Sequence, residues 1–233
     1  MTVINRTHRF IFIHIPKTGG TSVKEHLRQY HSGSDLCINR PVGAEELGSA
    51  SGVTVKKHSS AIEVREALGA AEFDRFFKFC VVRNPFIRTI SLFRFLKFNF
   101  RSWPRSAIMD QIDSLADFVT SPIFRGSGPG GIVSPQVHWF VDKSGTNCVD
   151  YIARIENLEE DFRNVGMRLG LSLTDTPLRR RNQSLGNVDR LTDELMSGMV
   201  VDAIRNRYAA DFQLLEYSTE PTKAVELAAS DYG

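Results

Sequence analysis

The segment that most constrains this chain is a short apolar run, Phe10-Ile11-Phe12-Ile13-His14-Ile15. It ends on Pro16-Lys17-Thr18-Gly19-Gly20-Thr21-Ser22 and continues into Val23 to Tyr30. Aromatic and β-branched residues without polar alternation, closed by a proline, predict a strand buried on both faces of a parallel sheet. Gly19 and Gly20 allow a tight turn and a close approach of backbone to ligand, because neither carries a Cβ. A helix opening at Thr21 or Ser22 presents unpaired N–H groups and the positive end of its dipole, and Lys17 adds a mobile cation with three donors. Strand, loop and helix together read as a cradle for phosphate or sulfate. A plain glycine turn with an exposed lysine fits the same residues. The usual nucleotide-kinase loop, Gly, four residues, then Gly-Lys-Ser/Thr, does not fit, since Lys17 precedes the glycines; a nucleotide-dependent kinase with an atypical loop and a nucleotide-binding module without catalysis stay as alternatives.

A second segment repeats this logic. Phe76-Phe77-Lys78-Phe79-Cys80-Val81-Val82 predicts another strand, running into Arg83-Asn84-Pro85-Phe86-Ile87-Arg88-Thr89-Ile90-Ser91. Pro85 suits the first turn of a helix, where its missing N–H costs nothing. Phe86, Ile90 and Phe93 then hold the helical period. Arg88 and Ser91 share a helix face, with Arg83 at the strand tip, so two guanidinium groups and a hydroxyl are expected to converge where a phosphate would sit. An ordinary solvated cluster at a helix end reads the same way.

Taken together, the two segments resemble the donor-binding motifs of sulfotransferases that use 3′-phosphoadenosine 5′-phosphosulfate (PAPS). The resemblance is to the carbohydrate-type family that includes heparan sulfate 2-O-sulfotransferase and bacterial relatives. It implies that Lys17, Thr18, Gly19, Gly20, Thr21 and Ser22 hold the 5′-phosphosulfate, that Arg83 and Ser91 hold the 3′-phosphate, and that Arg88 and Asn182 belong to the same donor set. It also implies a catalytic histidine upstream of Arg83. Lys57-His58-Ser59-Ser60, Gln136, Arg154 to Leu158, Asn182-Gln183-Ser184 and Tyr208 to Phe212 resemble further family positions in family order.

Alternating elements predict an α/β fold, a P-loop NTPase-like three-layer arrangement with a central parallel sheet flanked by helices. After the first helix, a stretch from Ser32 to Gly52 precedes a strand at Val53-Thr54-Val55. Ser60 and Glu63 have capping-box spacing before a helix over Ala61 to Leu68. The Phe76 strand is followed by a helix to about Phe100, a helix near Leu115 to Thr120, a strand at Tyr151 to Ile155, and a helix at Leu158 to Leu169. One last helix is expected over Thr192 to Leu215, and Ser218 to Gly233 reads as a loosely held tail. With 233 residues, 42% of them hydrophobic and 24% charged, the chain can bury a core as one domain spanning 1–233.

A formal net charge of +2 is too small by itself to argue for nucleic acid, which is not expected as a partner, and Cys37, Cys80 and Cys148 are too widely spaced for a disulfide framework or a zinc site. There is no apolar run of membrane-spanning length, and residues 1–9 lack a secretory pattern, so a cytoplasmic enzyme is expected.

Transfer of a sulfuryl group to a hydroxyl needs a base, and His58 is the choice, following a short strand where sheet ligands gather. His14 competes but is expected inside a buried strand as a satisfied core residue; His138 is a third option. Lys17 is assigned the charge that builds on the leaving oxygen. No metal is expected. The acceptor is expected to be a hydroxylated carbohydrate or glycoconjugate. Gly126 to Gln136 could gate it, and Trp103 or Trp139 could stack on it, while the phenylalanines from Phe93 to Phe100 read as core. Arg179-Arg180-Arg181 reads equally as a ligand contact or a solvated turn.

Overall fold

The computed structural model describes residues 2–99, 106–126, 130–173 and 188–230. Strands β1 (Val3–Asn5) and β2 (Phe10–Ile13) lead into helix α1 (Gly20–Leu27). Then come β3 (Leu36–Cys37), β4 (Val42–Gly43), β5 (Thr54–Val55), α2 (Ala61–Leu68), α3 (Ala70–Phe73) and β6 (Phe77–Val82). Helices α4 (Pro85–Asn99), α5 (Ser106–Asp110), α6 (Leu115–Thr120) and α7 (Pro122–Gly126) precede β7 (Tyr151–Arg154) and α8 (Leu158–Leu169). Helices α9 (Val188–Leu195), α10 (Gly198–Arg207), α11 (Ala209–Leu214) and α12 (Pro221–Ser230) follow. The chain forms two compact units, one of residues 1–82 with 138–181, the other of residues 83–137 with 182–233.

The first unit holds a five-stranded sheet of order β3-β1-β2-β6-β7. β2, β6 and β7 are mutually parallel, with Phe12 opposite Phe79 and Phe79 opposite Tyr151. β1 departs from the all-parallel expectation and runs antiparallel to both β2 and β3. The reason is the link: the turn from Arg6 to Arg9 is too short for the crossover that parallel neighbours require. Asn5 closes this turn, its Oδ1 accepting from the His8 N–H at 2.6 Å. One sheet face (Val3, Phe10, Phe12, Phe79, Val81, Ala153) packs against Val23 and Leu27 of α1 and Phe162 and Val165 of α8. Ile4, Ile11, Ile13, Cys80 and Val82 are buried on the other face. Both faces are therefore dry, as the unbroken apolar runs require. Cys80 is core, its thiol pKa raised by burial.

The α2 capping box forms as predicted: the Glu63 N–H donates to Ser60 Oγ at 3.2 Å, and the Ser60 N–H to Glu63 Oε2 at 2.6 Å. A Ser60→Ala change removes this cap, and an unfolding midpoint lowered by an amount matching about 1 kcal/mol is expected in a thermal scan.

The second unit is helical among its described residues. A run of rings joins its elements: Phe93 to Phe118 (5.5 Å between centroids), Phe118 to Phe124 (5.3 Å) and Phe124 to Tyr208 (5.8 Å). Phe93 is core as expected, but Phe98 is 64% exposed. The single helix expected over Thr192 to Leu215 is three helices. Gly198 weakens a helix interior and here opens α10, while Tyr208 leaves helical angles (φ −113°) and is fully buried with its hydroxyl donating to the Val133 carbonyl. The tail is likewise more ordered than its composition suggested. Pro221 begins α12, which lies against α4 and buries Ala224. Among the described residues, no helix is long and apolar enough to cross a membrane.

Candidate functional site

In the first unit the chain leaves β2 at Ile13 and turns through Ile15 to Gly19 before α1 starts at Gly20, one residue earlier than expected. Lys17 sits at φ 68° and Gly19 at φ 79°, both left-handed. Gly19 adopts this without strain, but Lys17 carries a Cβ, so its backbone is held there against a local cost of about 1–2 kcal/mol. Thr18 is fully buried, its hydroxyl donating to the Ile15 carbonyl at 3.0 Å. The Thr18 side chain therefore braces the loop, which differs from the ligand role predicted for it. Among the described residues no side chain caps α1 and none in its first turn is acidic. The Ser22 N–H turns back to the Gly19 carbonyl at 2.9 Å, leaving the Gly20 and Thr21 N–H groups without intrahelical partners. Oriented donors and a helix dipole favour an anion here, and among the described residues the first turn brings no carboxylate to oppose it. The start of the helix fits an anionic group.

Both glycines are sterically required. A Cβ at Gly19 would come within 2.5 Å of Ile155 Cδ1, and a Cβ at Gly20 would overlap the His14 ring at Cδ2 and Nε2. His14 lies one residue beyond β2 and is 6% exposed, but it is not the satisfied core residue expected from sequence: its Nδ1 has no hydrogen-bond partner among the described residues. Its ring centroid is 4.4 Å from that of His58.

His58 is half-buried. Its Nδ1 lies 2.9 Å from the His14 carbonyl oxygen, an atom that only accepts. The contact fixes the tautomer with the proton on Nδ1 and the lone pair on Nε2. Trp139, 1% exposed, donates from Nε1 to the His58 carbonyl at 3.0 Å and anchors the backbone, so it offers no face for stacking on a sugar. Burial, reinforced by the positive charge of Lys57, lowers the His58 pKa from 6.5 to about 3. The ring is thus neutral in the folded protein, whereas in the unfolded chain it takes a proton near 6.5. Its contribution to stability is complete above that pH and declines as pH falls toward about 3. Nitrogen-detected NMR of the ligand-free protein should show His58 as the Nδ1–H tautomer from pH 8 to 5; an ionisation near 6.5 would contradict this geometry. No hydrogen bond or ring contact among the described residues joins His138 to either imidazole.

In the second unit, Gln136 holds the Arg83 backbone at both ends. Its Oε1 accepts from the Arg83 N–H at 2.8 Å, and its Nε2 donates to the Arg83 carbonyl at 2.8 Å. Gln136 is held in turn by Asp211, which accepts from the Gln136 N–H (2.8 Å), Gln136 Nε2 (3.3 Å) and the Val137 N–H (3.0 Å). Asp211 is fully buried; burial raises its carboxyl pKa, and Arg88 and these donors oppose the rise. The Arg83 backbone is fixed while its half-buried side chain makes no hydrogen bond or ion pair with another described residue. The sequence marks Gln136 as a family position and as the end of a possible gate, and Asp211 as a family position; nothing in local periodicity shows that they meet.

Arg88 is where the expected convergence of two guanidinium groups fails. It is fully buried, donating to the carbonyls of Ser134 (3.0 Å) and Ile132 (3.1 Å), with its guanidinium carbon 5.5 Å from the Tyr208 ring centroid. It is an internal brace of the segment after Gly131, not a surface phosphate contact. Ser91 is half-buried, Thr21 exposed and Ser22 half-buried. Asn182, Arg179 to Arg181 and Trp103 lie outside the described residues, as do residues 127–129 of the expected gate.

Neither the curated proteins nor the solved structures contain a match to this chain. The model of the sulfotransferase family matches residues 1–218, which take in the loop after β2, His58 and Arg83. The chain belongs to the sulfotransferase family, and its reaction is a sulfate transfer.

Proposed function

We propose that this enzyme takes PAPS as donor and transfers its sulfuryl group, by in-line displacement, to a hydroxyl of a carbohydrate or glycoconjugate. The observation that carries the reading is the His58 tautomer: Nδ1 bound to the His14 carbonyl leaves Nε2 as a neutral base. It lies in the same unit as the anion-binding start of α1, with the His14 ring touching both.

PAPS supplies a sulfuryl group whose bond to the bridging oxygen breaks as the bond from the acceptor oxygen to sulfur forms. His58 Nε2 takes the acceptor hydroxyl proton, a service worth about 10²–10⁴-fold. The Gly20 and Thr21 amides hold the phosphosulfate, and Lys17 meets the charge developing on the phosphate that leaves. Arg83 and Ser91 are assigned the 3′-phosphate on the motif resemblance, and the clamped Arg83 backbone supports a preset cation.

Calorimetry tests the donor. 3′,5′-Bisphosphoadenosine should bind about 10- to 100-fold more tightly than 5′-AMP, the value of one charge-assisted contact, and Arg83→Ala should erase the difference. ATP with magnesium should not outcompete it. Equal affinity for the two adenosine nucleotides, or preference for ATP, would overturn the donor assignment. A panel of oligosaccharide and small hydroxylated acceptors with labelled donor tests the acceptor class; transfer to non-carbohydrates alone would reject it.

A further inference from the structure

The His14 side chain is used by nothing in the preceding scheme, where only its carbonyl acts. It is 6% exposed, and its Nδ1 is buried without a hydrogen-bond partner among the described residues. A buried polar atom with no partner is uncommon and calls for a ligand or a catalytic reason, since a Phe or Leu would fill the same space without that penalty. The ring's Cδ2–Nε2 edge lies against Gly20, the first residue of α1, where the orphan amides of Gly20 and Thr21 collect. The chain gives up a side chain at Gly20 to seat this ring, because any Cβ there would overlap it.

We infer that the His14 imidazole is itself a ligand contact, donating a hydrogen bond from Nε2 to the anionic group held at the start of α1. In the neutral Nε2–H tautomer the lone pair falls on buried Nδ1, so the proton sits on the ring edge beside Gly20 and only an acceptor is left unpaired. The neighbouring His58 carries the opposite tautomer, fixed by the His14 carbonyl. Two imidazoles with centroids 4.4 Å apart thus divide the work: His14 donates to the anion and His58 accepts from the hydroxyl. This rests on the donor-binding reading above.

His14→Phe keeps a ring and removes both nitrogens; His14→Gln keeps an N–H donor at similar reach. Calorimetry with 3′,5′-bisphosphoadenosine, and with adenosine 5′-phosphosulfate to present the sulfate end, should give affinities falling in the order parent, Gln variant, Phe variant. The Phe variant is expected about tenfold weaker for adenosine 5′-phosphosulfate, one charge-assisted bond to an anion. Thermal midpoints should not follow that order, and the Phe variant should melt no lower than the Gln variant. Should the larger Phe ring fail to fold beside Gly20, His14→Ala makes the same comparison with Gln. Parental affinity in the Phe or Ala variant would overturn the inference, leaving His14 as packing. An affinity loss that follows the melting midpoint would also overturn it. If the parent binds neither nucleotide, the donor reading itself fails, an outcome distinct from both.

Discussion

His58→Ala is expected to bind 3′,5′-bisphosphoadenosine within about twofold of the parent while single-turnover transfer falls by about 10²–10⁴-fold, the loss of a general base. The separation follows from what each atom does. The ring accepts a proton only as the acceptor oxygen attacks, so its removal leaves the proposed donor contacts of Lys17 and of the Gly20 and Thr21 amides in place. The backbone is independently secured, because Trp139 binds the His58 carbonyl and Val55 upstream is fully buried. With its ionisation pushed down to about 3, His58 in the donor-free enzyme stays in the base form across ordinary working pH. The transfer rate therefore should not climb through an ionisation near 6.5, contrary to what an exposed histidine would give. Near-parental transfer by His58→Ala would end its assignment as base. A matched loss of binding and transfer would make it a donor contact instead.

What the sequence revealed was local, and what it concealed was long-range. The β2 strand, the glycine loop and α1 could be read because each depends on residues within a few positions: an unbroken apolar run, two glycines and a proline. The α2 helix was placed correctly from Ser60 and Glu63, three residues apart, for the same reason. β1 and β3 left no such mark. They are three and two residues long, and they exist as strands only through pairing with β2 and with each other. Arg88 misled because helical spacing gives a face but not what covers it. Here the carbonyls of Ile132 and Ser134, more than forty positions away, capture the guanidinium. His14 misled in the opposite direction. An apolar neighbourhood predicts burial, and burial is what the structure has, yet periodicity cannot show that Nδ1 lacks a partner. The loss of a side chain at Gly20 was visible as a glycine, but its cause was not, since the obstructing atoms belong to a residue six positions earlier.

Lys17→Gly should cost about 10²–10³-fold in transfer, the scale set by removing one preorganised donor to developing charge, while leaving the thermal midpoint close to the parent value. The two halves have separate physical origins. Lys17 is at φ 68°, where a Cβ crowds the following carbonyl at a cost of about 1–2 kcal/mol. Glycine abolishes that cost but adds about 0.5–1 kcal/mol of unfolded-state freedom, so the backbone contribution by itself is near zero or slightly stabilising. Lys17→Ala keeps the strain and removes the charge, so it should lose transfer equally and melt no higher than the glycine variant. Comparing the three proteins thus isolates the backbone from the ammonium group. Because Lys17 is assigned charge that grows as the leaving bond breaks, the fall should lie mainly in the single-turnover rate, with donor affinity reduced much less. If both variants instead lose affinity while the bound donor reacts at the parental rate, the lysine anchors the ground state and its catalytic part is refuted. If the glycine variant melts well below the parent, the strained backbone at this position is itself held by contacts of the lysine side chain. Strain would then not be the sign of function that an outlier next to an anion site normally is.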